Sequence, residues 1–270
     1  MKVFYFSLLF NAATFLALAL LVCVRGENKR LGLAWAGFCI SLAVWSGGYW
    51  FLEIFSKNAT DAVFWLRFEY TGTVFIHAFF FHFISIFLDI EKKKRYLIRI
   101  LYLISCILVL SAYFTNTFFR EIIPKPPFPW YPEPGIMYHV FFGAFWATLC
   151  YAHYLLYKVY RRVSPQKRLQ IKYLFVGSVF AFFGGGSNFL VIYDAPVFPY
   201  ANYLLCFYGF IITYAMIRHN LLDVRLAVSR TLVFSLIYSI VLGFPFAVGY
   251  FLGQTRLWIV PLVLMAVLAS

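Results

Sequence analysis

The sequence predicts an all-α membrane protein: a polytopic helical bundle of seven transmembrane helices followed by a C-terminal transmembrane hairpin whose second helix is cut short. Three observations predict it. Eight apolar stretches reach, and a ninth begins, the ~20 residues that a helix rising ~1.5 Å per residue needs to cross ~30 Å of hydrocarbon. The chain is 63% hydrophobic and 12% charged, a composition that as a soluble domain of 270 residues would leave a vast apolar surface facing water. Finally, its basic residues gather at every second junction between the stretches.

The first stretch, residues 3–24, is followed rather than preceded by positive charge, at Arg25, Lys29 and Arg30. A cleaved signal peptide has the opposite order, so this span stays as a helix. Leu20-Leu21-Val22-Cys23 fails as a lipoprotein cleavage box because Val22 stands where a small residue is needed. Spans two and three, 31–55 and 64–88, are joined by a short link that makes them antiparallel neighbours. Span four covers 96–118. The segment 119–137 that follows holds six of the 11 prolines, which fix the backbone and remove donors, so it is expected to be a semi-rigid extended loop. Its Phe128, Trp130 and Tyr131 either lie along the lipid interface or fold over the bundle mouth as a lid. Spans five, six and seven are 138–157, 171–192 and 200–217, and the added hairpin is 232–252 with 257 onward.

Cytoplasmic loops hold the excess of Lys and Arg. Of the 23 such residues, 17 fall in the alternate segments 25–30, 92–99, 158–172 and 218–230. An N-terminus outside, with seven crossings before Arg218, satisfies every junction. The net charge of +13 is thereby accounted for by topology and by anionic lipid heads, each basic residue near that surface being worth ~1 kcal/mol; no nucleic-acid partner is expected. The five cysteines are far apart inside apolar spans and read as packing residues, not disulfides or ligands. Asn58-Ala59-Thr60 matches a glycosylation sequon.

Ionisable residues inside hydrocarbon mark function, because a charge at the bilayer centre costs ~2.5–3.5 kcal/mol even on lenient scales. The candidates for a ligand-facing polar site are Glu53, Arg67, Glu69, His77, His82 and Asn188. Glu53 and Arg67, near the same end of adjacent helices, are expected to pair, either as a brace or as part of that site. His77 and His82 stand ~140° apart around a helix, and His139 and His153 ~21 Å apart along one, so no metal site and no cofactor are expected. Gly184-Gly185-Gly186-Ser187-Asn188 allows close helix approach or local unwinding.

Two stretches carry a resemblance. Phe64-Trp65-Leu66-Arg67-Phe68-Glu69-Tyr70-Thr71-Gly72, following Trp45 to Glu53, and the exit Tyr214-Ala215-Met216-Ile217-Arg218-His219-Asn220-Leu221-Leu222-Asp223-Val224, continuing as Ser229-Arg230-Thr231-Leu232-Val233-Phe234, resemble the N-terminal seven-transmembrane domain of bacterial sensor histidine kinases over roughly residues 5–235. The resemblance implies a sensory input module of the bacterial cytoplasmic membrane. Its 218–230 linker, an interfacial helix or a plain connecting loop, would pass the signal to a cytoplasmic output, with Arg218, Asp223 and Arg225 as candidate transmitting residues.

No phosphoacceptor His followed by an acidic residue occurs, since Asn220 follows His219, and there is no Gly-rich ATP lid. The chain itself is therefore expected not to be an enzyme, and its stop at Ser270 inside the ninth stretch predicts a fragment or truncated product lacking a kinase portion. The expected partners are the bilayer with its anionic inner face, a small-molecule or membrane-derived signal, and a second copy of the chain. The competing class is a small-solute transporter or channel. A retinal photoreceptor ranks below it, because residues 200–217 contain no lysine for a Schiff base.

Overall fold

The computed structural model describes residues 1–219 and Leu221. The chain divides into two compact units: Leu8–Arg225, which holds the bundle, and Met1–Ser7 with Leu226–Ser270, whose described part is the start of the first helix. The predicted C-terminal hairpin, along with Asp223 and Arg225, lies outside the described residues.

Among the described residues seven helices run in chain order: α1 (Lys2–Arg25), α2 (Lys29–Phe55), α3 (Ala59–Phe87), α4 (Glu91–Phe114), α5 (Ile136–Tyr160), α6 (Pro165–Ile192) and α7 (Leu204–His219). The first six are long and apolar enough to cross a membrane, so the protein is an all-α polytopic membrane bundle, as the sequence predicts. Between α4 and α5 stand two antiparallel strands, β1 (Phe119–Lys125) and β2 (Phe128–Pro134). A 3₁₀ turn, Tyr200–Tyr203, leads into α7.

The helices overrun the apolar stretches because polar caps, not hydropathy, set their ends. Asn58 caps α3, its side chain accepting from the Asp61 amide at 2.9 Å while the Asp61 carboxylate accepts from the Lys57 amide at 3.2 Å. The sequon asparagine is thus a helix cap. Ser164 caps α6, with Pro165 opening its first turn. At the end of α3 the chain turns at Asp89, in the left-handed region at φ 57°. There the Ile90 amide donates to the Ser85 carbonyl and the Asp89 amide to that of Ile86, a Schellman closure. Lys92, Lys93, Lys94 and Arg95, expected in a loop, consequently lie in the first turn and a half of α4: long basic side chains are good helix formers whose heads reach outward from an apolar surface.

Helices in lipid gain little from hydrophobic burial against one another and associate through close packing at small residues. The most extensive pairing, α2 with α3, follows this rule. A Cβ on Gly72 would lie 2.6 Å from the Ser41 carbonyl oxygen, and one on Gly48 would lie 2.6 Å from the Glu69 Cα. α2 and α3 are the most deeply buried spans and α4 the least. Between α2, α3, α6 and α7 lies an aromatic core in which Trp35 meets Phe83 at 4.8 Å, Phe80 meets Phe182 at 4.8 Å, and Phe38 meets Tyr208 at 6.3 Å.

The α2–α3 link, the β-hairpin and the α6–α7 link gather at one end of the bundle, the hairpin end. At the other end Arg30 at the start of α2 pairs with Glu91 at the start of α4, 2.7 Å apart. Gln170 of α6 donates to the His219 carbonyl at the close of α7, 2.9 Å.

Candidate functional site

A cavity lies toward the hairpin end, walled by α2, α3, α5, α6 and the start of α7 and roofed by β2. It offers about 50 Å³ to the centre of a water-sized sphere, room for about three to five waters at ~10–15 Å³ each. Its lining is apolar except for a few groups, chiefly Glu69, Thr73, Asn188 and the phenols of Tyr49, Tyr70 and Tyr131.

Glu69 is where it is because of Gly48. Without a side chain on α2 at that point, the α3 backbone comes within contact distance, and Glu69, only 5% exposed, is held in the cavity wall. Trp45, one turn earlier on α2, supplies a side-chain hydrogen bond to the Glu69 carboxyl. Glu53 lies close enough to add a like charge to Glu69. On the opposite wall, the glycines of α6 bring neighbours in: Gly184 sits 2.7 Å, measured from an ideal Cβ, from the Ala201 carbonyl oxygen, and Gly186 2.9 Å from the Trp146 ring. α6 runs unbroken through them, so close approach, not unwinding, is their role. Asn188 donates through Nδ2 to the Gly185 carbonyl at 2.9 Å and to Asn202 Oδ1 at 3.2 Å. Its own Oδ1 is buried with no hydrogen-bond partner.

The roof corrects the expectation of a plain extended loop, and it selects the lid over the lipid interface. Phe128 and Tyr131 are buried, Phe128 stacking on Phe198 at 5.7 Å and lying 6.0 Å from Tyr49. Two bonds fix the hairpin to the C-terminal end of α6. The Tyr131 hydroxyl donates to the Asn188 carbonyl at 3.2 Å. Lys125, 7% exposed, donates from Nζ to the Ile192 carbonyl at 2.6 Å and pairs with Asp194 at 2.7 Å. A cation at that point also meets the negative end of the helix macrodipole. Burial in the roof pushes the Tyr131 phenol well above its ordinary range, so it stays a neutral donor.

The other predicted residues disperse. Arg67 does not pair with Glu53: its Nε donates to the Ala112 carbonyl of α4 at 3.0 Å, and its guanidinium lies 5.9 Å from the Tyr113 ring centre. Residues two apart on a helix point ~160° away from each other, so with Glu69 facing the cavity Arg67 must face α4. His77 is buried between α3 and α5, against Phe145 at 5.9 Å. His82 lies near the opposite end, with Nδ1 3.0 Å from the Tyr102 hydroxyl and Nε2 3.7 Å from Glu91. Neither lines the cavity, and no group of three metal-ligating side chains occurs among the described residues. Arg218 falls in the last turn of α7.

Sequence reasoning missed Trp45, Tyr49 and Lys125 as parts of the site. For Lys125 there was a signal: a lysine set between the prolines at 124 and 126 of the proline-rich segment.

Comparison with known proteins adds one finding. A family model described as the N-terminal 7TM region of histidine kinase matches residues 7–225. Neither the curated proteins nor the solved structures contain a match to the chain.

Proposed function

The chain belongs to the family of N-terminal seven-transmembrane regions of histidine kinases, and from that premise we propose that it is the membrane-embedded sensory input region of a bacterial two-component signalling protein. It resides in the cytoplasmic membrane with its N-terminus and hairpin outside, the orientation that its basic residues favour. The stimulus is a small-molecule or membrane-derived signal received in the cavity beneath the hairpin. A kinase portion supplied beyond this region is the output, and a second copy of the chain is a partner.

The observation that carries this reading is the linkage of the cavity to the exit. Tyr131 and Asn188 line the cavity and are bonded to each other. Asn188 belongs to α6, and α6 in turn holds the end of α7 through Gln170 and the His219 carbonyl. Occupancy that favours one position of Tyr131 and Asn188 therefore biases the position of α6 against α7. A stimulus can shift such an equilibrium only by its difference in affinity for the two arrangements.

Residues 1–225 joined to a histidine-kinase output and reconstituted in lipid vesicles test this. Substitutions Tyr131→Ala and Asn188→Ala are expected to change autophosphorylation several-fold in a protein that still folds. Output indifferent to both, together with solute flux into the vesicles, would replace sensing by transport.

A further inference from the structure

We propose that the Glu69 cavity selects a small organic cation, a protonated amine with a short apolar body. The inference rests on the reading of this cavity as the stimulus site.

The polarity of the lining is one-sided. Glu69 contributes carboxyl oxygens, and Asn188 contributes a buried Oδ1 with no partner. Trp45, Tyr49, Tyr70 and Tyr131 add aromatic rings, whose faces carry negative quadrupole potential. Glu53 puts a second acidic group nearby. No Lys, Arg or His lines the cavity among the described residues. Two basic side chains on the neighbouring elements are committed elsewhere, Arg67 to the Ala112 carbonyl and Lys125 to the Ile192 carbonyl and Asp194, while His77 packs outside the lining against Phe145.

Each class of occupant meets this lining differently. An anion would face the Glu69 carboxyl with no basic side chain among the described lining residues to pair with. A neutral apolar molecule would fill the space but leave the Asn188 oxygen without a partner, and a buried polar group without a partner is costly. A divalent metal ion is held mainly by carboxylate and carbonyl oxygens, of which the side chains of the wall present one carboxyl and one amide, the rest being the hydroxyls of Thr73 and three tyrosines. An alkylammonium satisfies all of it: N–H donors for Glu69 and Asn188 Oδ1, positive charge over the rings, and a body of a few carbons against Leu52, Ile192 and Phe189. The limited volume restricts that body to a short chain.

The test is calorimetric titration of the chain in lipid nanodiscs, with empty nanodiscs subtracted, using butylammonium, butan-1-ol and butyrate as probes of one shape and three charges. The expected order is butylammonium at least about tenfold tighter than the alcohol, with butyrate not binding. Glu69→Gln is expected to abolish the amine preference, and Asn188→Asp, which adds charge at the same place, to tighten the amine several-fold. Alcohol binding as tightly as the amine, or a preference that survives Glu69→Gln, overturns the proposal. Should Glu69→Gln not fold, the wild-type amine-to-alcohol ratio and Asn188→Asp decide it. The sensing role is read separately on the fused kinase: amine binding without any change in phosphorylation removes the sensing role and leaves the selectivity. A normal response of the kinase to Tyr131→Ala in a protein that binds no amine removes the selectivity alone.

Discussion

Replacing Lys125 by Met should loosen the hairpin far more than replacing Asp194, although the two form an ion pair at 2.7 Å. The reason is the difference in burial. Lys125 is 7% exposed and Asp194 73%, so water already solvates the carboxylate and screens the pair, which leaves about 0–1 kcal/mol in it. The bond from Nζ to the Ile192 carbonyl, 2.6 Å, is charge-assisted and sheltered, and such bonds contribute about 1.5–3 kcal/mol. Lys125→Met keeps the apolar stem and removes the donor, orphaning a carbonyl at the end of α6. Asp194→Asn keeps that donor, and its backbone at φ 59° suits Asn as well as Asp.

The expected costs are therefore about 2–3 kcal/mol for Lys125→Met and below about 1 kcal/mol for Asp194→Asn. Amide hydrogen exchange of β1 and β2 in nanodiscs reads the difference, because local opening of the hairpin exposes those amides without unfolding the bundle. Lys125→Met should speed exchange by about 30- to 150-fold, and Asp194→Asn by less than about fivefold. Equal acceleration in the two variants would mean that the exposed ion pair holds the hairpin, and the argument from burial would be wrong.

Two further outcomes follow from the contacts of α3. Gly48→Ala places a methyl 2.6 Å from the Glu69 Cα and 2.8 Å from its amide nitrogen, an overpacking that should lower stability by about 1–3 kcal/mol in reversible unfolding from detergent; unchanged stability would show that α2 and α3 are not in backbone contact there. Glu53→Gln and Arg67→Met should be additive within about 0.5 kcal/mol in a double-mutant cycle, and a coupling above about 1 kcal/mol would restore the ion pair that the geometry of Arg67 rejects.

The spans were legible because crossing hydrocarbon imposes a length, and residues 31–55, 171–192 and their counterparts satisfy it whatever their neighbours do. Their ends were less so. Asn58 with Asp61, and Ser164 before Pro165, are capping signals that a search for apolar runs passes over. The hairpin was not legible as strands: prolines at 124, 126, 127, 129, 132 and 134 remove ladder donors, and the pairing that forms is irregular, with two register shifts. What docks it is tertiary, namely Lys125 on α6 and Phe128 on Phe198. Glu69 was singled out, but a span starting at residue 64 set it near the surface. With α3 beginning at Ala59, it lies about 15 Å along the helix. The error in pairing Arg67 with Glu53 came from reading both as close to one end without asking which way residue 67 must point once residue 69 faces inward.

The continuity of α6 has a mechanical consequence. Its 28 residues make a rod about 42 Å long, and the glycines at 184–186, which would weaken an isolated helix, are clamped on two sides by Ala201 and Trp146. A rod without a hinge cannot absorb a push locally. Tilted by about 5° about its middle, it would carry each tip sideways by about 2 Å, in opposite directions. A displacement of Asn188 too small to alter any hydrogen bond near it would thus reappear at Gln170 with its sense reversed, so that closing one mouth of the bundle opens the other.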